Sequence, residues 1–554
     1  MKKATILWLA LFVALPGIRS GLFAQQPDTV LVPTEINGDP YGAINKFIMG
    51  DTTATGERNN PNRTYMLEAG KIYFLSGTMQ THFPLRLIGQ EPQEGQKPAV
   101  LTSGVSPSGG TVGRFFKCFD DATFKNIYFQ TCPPTGKGET FQTLQLIADS
   151  ARYVFDNCYF EWGRWLTIRV EGKGTKVYIT NSYFRNIENK NAIYNGRVLQ
   201  FHNTPVDTVV MVNNTVFNCN SYFLHIISNY ANYARIEHNT IVNLIKWPIS
   251  WLWMTNAVIS NNIFYNVHSY GEAPSDMIGR EPPIVYGIIN ADTLPSADAD
   301  SMGISEADRI IKVNNNCWWF SQEVKDYWAA HADSVKPEPF MNERTQAMFD
   351  DSVKYPYLEE KGTLNIDPQF TNVGDLTGFI DWMTKKRAGE STSYWGWDPD
   401  GDRFNIQWPL PEDLSYPTTS PLYTAADGGF PVGDLNWFPD KKKEWEQWIQ
   451  TGVEEETPET VPSDFALEQN YPNPFNPSTA IRYSLPRAAT VSLVIYNGLG
   501  RRVKTLVAKK QAAGSYTVSW AGTDDRGVRV PSGVYFYKLK AGNHTFVRKM
   551  LLMK

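Results

Sequence analysis

The sequence predicts an all-β chain: a parallel β-helix followed by a small antiparallel β-sandwich. Between Phe124 and Val267 a short pattern recurs: an apolar residue, any residue, an Asn, two further positions and an apolar residue, often with a second Asn behind it. Its copies are FKNIYF (124–129), FDNCYF (155–160), ITNSYFRN (179–186), MVNNTVFN (211–218), IEHNTIVN (236–243) and ISNNIFYN (259–266), with VNNNCW (313–318) following an insertion. The anchors Asn126, Asn157, Asn181, Asn213, His238 and Asn261 stand 31, 24, 32, 25 and 23 residues apart, the period of stacked solenoid coils. Alignment of the copies gives two apolar columns, Phe124, Phe155, Ile179, Met211, Ile236, Ile259 and Phe129, Phe160, Phe184, Val216, Ile241, Phe264. Short runs rich in β-branched and aromatic residues read as strands, and one coil cannot bury its apolar face alone, so the coils must stack. The sandwich is read from VSLVIYNGLGRRVKTLV (491–507) and GSYTVSWAGTDDRGVRVPSGVYFYKLKAG (514–542), alternating strands separated by Gly and Asp turns.

In chain order, residues 1–24 carry Lys2 and Lys3, an apolar run from Ala4 to Pro16 and small Ala24, the pattern of a secretory signal peptide. Residues 25–62 are polar and turn-rich. The β-helix is expected over 63–372, with Leu67, Ile72, Phe74, Leu87 and Ile88 starting the stack and insertions at 268–308 and 321–364, the second helical in its first half. Residues 373–448 form an exit region expected to cap the last coil. An acidic, Pro-bearing linker (449–463) leads to the sandwich at 464–554. Asn tolerates the left-handed conformation that a sharp corner needs, and its amide bonds to the Asn of the next coil. A second column, Asn186, Asn218, Asn243 and Asn266, predicts a second corner of the same kind.

The 554 residues carry a formal charge of −5, and −8 once Lys2, Lys3 and Arg19 leave with the leader. That balance argues against a nucleic-acid partner, which needs a basic face. The leader run is too short to span a bilayer and no other apolar stretch approaches its length, so no transmembrane span is expected in the mature chain. Five cysteines at unrelated spacings form no metal or redox motif. Cys219 falls on a core position, and Cys118 and Cys132, which flank one coil, are read as buried thiols in preference to a pair formed in an oxidising compartment, the odd count leaving at least one thiol free in any case.

Chemistry is sought on the strand preceding each repeat: TLQLIA (143–148), GRWLTIRV (163–170), GRVLQFHN (196–203), YFLHIISN (222–229) and PISWLWM (248–254). Aligning their leucines places Gln145, Thr167, Gln200, His225 and Ser250 in one outward column, with Arg169 and His202 in the next. Arg164 and Arg197 recur in Gly-Arg pairs and would line one rim. Arg suits carboxylates and His titrates near neutrality, so Arg164, Arg197, Gln145 and Gln200 are substrate-binding candidates, and His225, His202 and Arg169 catalytic ones. A solvated outer face is the bland alternative. Trp247, Trp251 and Trp253 are candidates for sugar stacking or core packing. Asp398, Asp400 and Asp402 in DPDGDR have calcium-like spacing, so a structural calcium is the one cofactor considered, against a plain Asx turn.

These repeats resemble the right-handed parallel β-helix of the pectate-lyase-like superfamily over about residues 63–372. NIDPQFTNVGDLTGF (365–379) and SPLYTAADGGFPVGDLNWF (420–438) are similar to the closing and exit sequences of secreted β-helix proteins. FALEQNYPNPFNPSTAIRYSLP (465–486) and KMLLMK (549–554), with the two segments between them, resemble the carboxy-terminal sorting domain of type IX secretion substrates. That resemblance implies export by the type IX machinery of a Bacteroidetes-like bacterium and a secreted or outer-surface anchored product. The β-helix resemblance implies binding, and lyase-type cleavage if the protein is catalytic, of an extracellular acidic polysaccharide. The clustered carboxylates of pectate lyases have no counterpart here, which keeps a second class open: a non-catalytic adhesin or glycan-binding scaffold.

Overall fold

A computed structural model describes residues 28–552 except 107, 134–140, 227–228, 273–284, 297–298, 300–303, 332–335, 337–339, 400, 405–406, 453–464, 468, 471–472, 474–478, 486–488, 512–513, 521, 526–527 and 543. The expected signal peptide and most of the expected linker lie outside the described residues. The chain divides into two compact units, Met1–Trp445 and Glu446–Lys554.

The first unit is a stack of coils, each visiting three all-parallel sheets of eleven, nine and seven strands in turn. One coil runs through Ala122–Lys125, Ile127–Gln130 and Gln142–Leu146 before Arg152–Asp156 returns to the eleven-stranded sheet. Each repeat motif therefore straddles a corner between two strands. The two expected apolar columns are in register: Phe124, Phe155, Ile179, Met211, Ile236 and Ile259 are successive partners in one sheet, and Phe129, Phe160, Phe184, Val216, Ile241 and Phe264 in another. All are buried in one continuous core. Parallel stacking places like rings over like rings, with Phe129, Phe160 and Phe184 spaced 4.6 and 4.9 Å between centroids and tilted by 2° and 3°. Such pairs contribute about 0.5–1.5 kcal/mol each beyond burial.

The corners follow the Asn reading and correct one part of it. Every anchor from Asn126 to Asn261, His238 included, has φ between 51° and 59°, and Asn186, Asn218, Asn243 and Asn266 lie between 51° and 60°. The second column forms the expected ladder, Asn218 to Asn186 at 3.3 Å, Asn243 to Asn218 at 2.9 Å and Asn266 to Asn243 at 3.2 Å. The first column does not: among its links only Asn157 to Asn126 joins two anchors. The continuous ladder sits one position later, where Asn214, Asn239 and Asn262 each donate to the next at 2.9 Å, ending on Asn316. At the second corner the left-handed asparagines bond to one another, whereas at the first corner the residue after each left-handed anchor carries the ladder.

Three boundaries also differ from expectation. The stack begins in the segment read as polar lead-in, since Thr29–Leu31 pairs in parallel with Thr64–Leu67, and α1 (Ala43–Met49) buries Ala43, Ile44 and Ile48. The second insertion holds α2 (Gln322–Ala330) and α3 (Glu343–Asp350), then adds the strand Leu358–Lys361 to the eleven-stranded sheet. After α4 (Thr377–Arg387), the exit region lies along the flank of the stack over the nine-stranded sheet, rather than on its last coil. Backbone of Arg403 accepts from Gln130, Trp397 from Arg185, and Gly433 faces His238. This strap leads into α5 (Pro439–Gly452), so residues 449–452 of the expected linker are helical.

All five cysteines are buried and free, so Cys118 and Cys132 are not paired. Burial pushes the Cys118 and Cys219 thiols up to about 12. The second unit holds antiparallel sheets of three and four strands closing on a core that includes Ile481, Leu493, Ile495, Tyr537 and Leu539.

Candidate functional site

The five strands singled out for chemistry all belong to the seven-stranded sheet. Their register places Lys117, Gln145, Arg169, Gln200, His225 and Ser250 in one column. Aligning leucines slips one strand: Ile168, not Leu166, lies between Leu144 and Leu199, so Arg169 takes the place expected for Thr167. Thr167 is fully buried. His202 likewise moves beside Glu171, because its N–H bonds Val170 as that of Glu171 bonds Leu146.

Glu171, just past the strand Leu166–Val170, is the residue that sequence reasoning missed. Its Oε1 accepts from Gln145 at 2.9 Å and pairs with Arg169 Nε at 2.6 Å. The two Gly-Arg pairs are not equivalent, since Arg197 pairs in register with Leu166. Arg164 is exposed, while Arg197 donates to the Tyr194 carbonyl at 2.7 Å and to Gln200 Oε1 at 3.1 Å, 6.0 Å above the Tyr222 ring. They do not share a rim.

The histidines separate by environment. His225 packs 4.4 Å from Tyr222, and burial, reinforced by Arg197 and His202, pushes its imidazole down to about 3. It is neutral across the physiological range and a feeble base. His202 is exposed, and burial and Arg169 lower it while Glu171 opposes them. Aromatic rings border the column: Phe141 stacks on Trp165 at 4.3 Å, with Arg169 5.8 Å from Trp165, and Tyr222 meets Trp247 at 5.4 Å. Phe141 is 47% exposed and presents an open ring face beside Trp165. The signal for this platform was present in the sequence as Phe141 and Trp165 one position before the strands Gln142–Leu146 and Leu166–Val170, and Tyr222 and Trp247 two positions before Leu224–Ile226 and Ile249–Ser250. Trp251 is core and Trp253 half-buried.

Of the calcium candidates, Asp402 accepts from Phe404 N–H at 3.0 Å in an Asx turn, the Asp398 carbonyl accepts from Gly401, and Asp400 lies outside the described residues. Among the described residues no group of three or more His, Cys, Asp or Glu is placed to hold a metal. No helix among them is long and apolar enough to cross a membrane.

Residues 476–545 match the FlgD Ig-like domain family. With its antiparallel sheets, the carboxy-terminal unit is thus Ig-like. No curated protein matches the chain. Among solved structures, dimeric latent PorU from Porphyromonas gingivalis is similar at 20% identity over 17% of this chain and 10% of that one, with a TM-score of 0.15. PorZ, described as an essential bacterial surface component of the type-IX secretion system of Porphyromonas gingivalis, is similar at 20% identity over 16% and 11%, with a TM-score of 0.12. The chain thus spans about a tenth of the length of these two structures, and likenesses of that size carry no conclusion about its function.

Proposed function

We propose that the mature chain is a secreted or surface-held protein, exported through its carboxy-terminal Ig-like domain, that binds an acidic extracellular polysaccharide along the seven-stranded sheet. The observation that carries this reading is charge placement. On a chain of net charge −5, the strands of this sheet hold Arg114, Lys117, Arg169 and Arg197 and no Asp or Glu, with exposed Phe141 alongside. Guanidinium groups take carboxylates or sulfates bidentately and aromatic rings suit sugar faces, while buried Gln145 and Gln200 are engaged with Glu171 and Arg197 and hold those side chains rather than meet the ligand. The leader and the carboxy-terminal motif support the export half of the proposal.

Binding without cleavage is the version the geometry supports best, because His225 is too weak a base and Arg169 is already held by Glu171. A lyase version rests on exposed His202. There the imidazole would take the C5 proton of a uronate, the C4–O bond would break to leave a C4–C5 double bond, and the departing chain end would gain a proton. The decisive experiment titrates the mature protein with polygalacturonate, alginate, chondroitin sulfate and a neutral glucan while following absorbance of an unsaturated product. Binding of an anionic polymer, weakened by salt and about tenfold by Arg197→Ala, is expected, tenfold being about 1.4 kcal/mol. Equal affinity for the neutral glucan, or full affinity in both Arg169→Ala and Arg197→Ala, would overturn it. Product lost in His202→Ala with binding retained would establish the lyase version.

A further inference from the structure

Beneath the strap, on the nine-stranded sheet and away from the basic column, lies a cavity of about 320 Å³. Its walls include Tyr159 and Tyr183, stacked at 6.0 Å, with Trp408 edge-on to Tyr159 at 5.2 Å and Trp437 edge-on to Tyr183 at 6.2 Å. Two carboxylates line it, Glu412 and Asp434, each 3% exposed. Donors around them are spent on the protein. Tyr183 gives its hydroxyl proton to Glu412 at 2.6 Å, Trp437 its indole N–H to Thr215 at 2.9 Å, and the Asn157 and Asn181 amides donate along the corner to Asn126 and Asp156.

The charges behind the cavity are uneven. Arg185, 1% exposed, donates from Nε to Glu412 at 3.0 Å and pairs also with Glu161, so one buried guanidinium serves two carboxylates. Asp434 is bonded by neutral groups, Thr215 Oγ1 at 2.7 Å and Asn436 N at 2.9 Å, and burial raises its carboxyl to about 6. The lysines nearby stand at the edge: Lys442 donates to Asn436 Oδ1 at 2.7 Å, and Lys97 lies 5.8 Å from the Tyr128 ring beside Glu161. Two buried carboxylates thus share one buried guanidinium, the charge that acts on buried Asp434 is Lys442 at the edge, and a box of aromatic rings opens above them. Rings and carboxylates together recognise a cation attached to carbon, through ring quadrupoles and direct charge.

We propose that this cavity binds a compact organic cation, an ammonium group on a small carbon skeleton, seated among Tyr159, Tyr183, Trp408 and Trp437 and balanced by Asp434 and Glu412. The reading is independent of glycan binding on the seven-stranded sheet. It is tested by calorimetric titration of the full chain at neutral pH with tetramethylammonium, glucosamine, lysine amide and uncharged glucose. The cations are expected to bind saturably and glucose not at all, glucosamine against lysine amide telling an amino sugar from a peptide side chain. Asp434→Asn and Trp408→Ala should each weaken binding at least tenfold, with unchanged circular dichroism as the check on folding, and Arg197→Ala should leave it alone. No binding of any cation at tens of millimolar, or glucose binding as well as glucosamine, would overturn the proposal, as would unchanged affinity in a folded Asp434→Asn.

Discussion

Asp434 sits in a buried environment that its sequence context does not announce, and it makes a pH prediction. An unfolded aspartate titrates near 3.9, whereas in the fold burial raises this carboxyl to about 6. A raised carboxyl contributes stability below the unfolded value and loses it as pH rises through the folded one. The loss is at most about 3 kcal/mol between pH 4 and 7. Asp434→Asn removes the titration, so its melting temperature relative to wild type should climb between pH 4 and 7. A difference that stays flat across that range would contradict the burial argument. Asn239 makes a second prediction. Its side chain donates to Met211 O and Asn262 and accepts twice from Asn214, all while fully buried. Asn239→Ala leaves those groups unpartnered and should cost about 3 kcal/mol in denaturant unfolding. Exposed Asn232→Ala should cost close to nothing, and equal costs for the two would refute the ladder's importance.

At the level of strands and corners, period and register were legible unequally. Phe124, Phe129 and their counterparts lie in the sheets and columns their spacing implies, because a parallel stack repeats the same neighbour in every coil. Corner asparagines were legible for the same reason. Strand Leu166–Val170 was misaligned by two residues, a slip that keeps each side chain on its face and so leaves no trace in an apolar pattern of period two. That slip hid the Arg169–Glu171 pair and gave Arg164 and Arg197 a false equivalence. It sharpens the binding prediction: Glu171→Gln frees Arg169, so affinity for polygalacturonate should rise severalfold. A fall would mean that Glu171 orients Arg169 for the ligand instead.

For the whole molecule, the strap was the least legible feature, because partners such as Tyr183 and Glu412 are separated by 229 residues and carry no shared periodicity. The core, by contrast, follows from local pattern alone. Five buried thiols, Cys118, Cys158 and Cys219 of them in that core, should ignore alkylating reagents until the coils open. In the native mature chain, iodoacetamide labelling should be slow and sulfhydryl-independent mobility unchanged by reductant, with all five labelled in denaturant. Rapid labelling of any one would place that coil outside the cooperative stack.

The strap also bears on how such a chain can change over generations. An ordinary solenoid gains or loses a whole repeat at little cost, since each coil knows only its neighbours. Here one stretch of chain is fastened to Gln130, Arg185, Thr215, Asn261 and Asn315, rungs spread over most of the stack. One added coil would displace every later rung by about 4.8 Å from its fastening. The strap therefore acts as a ruler: duplication is tolerated beyond the fastened span, and within it the number of coils is fixed.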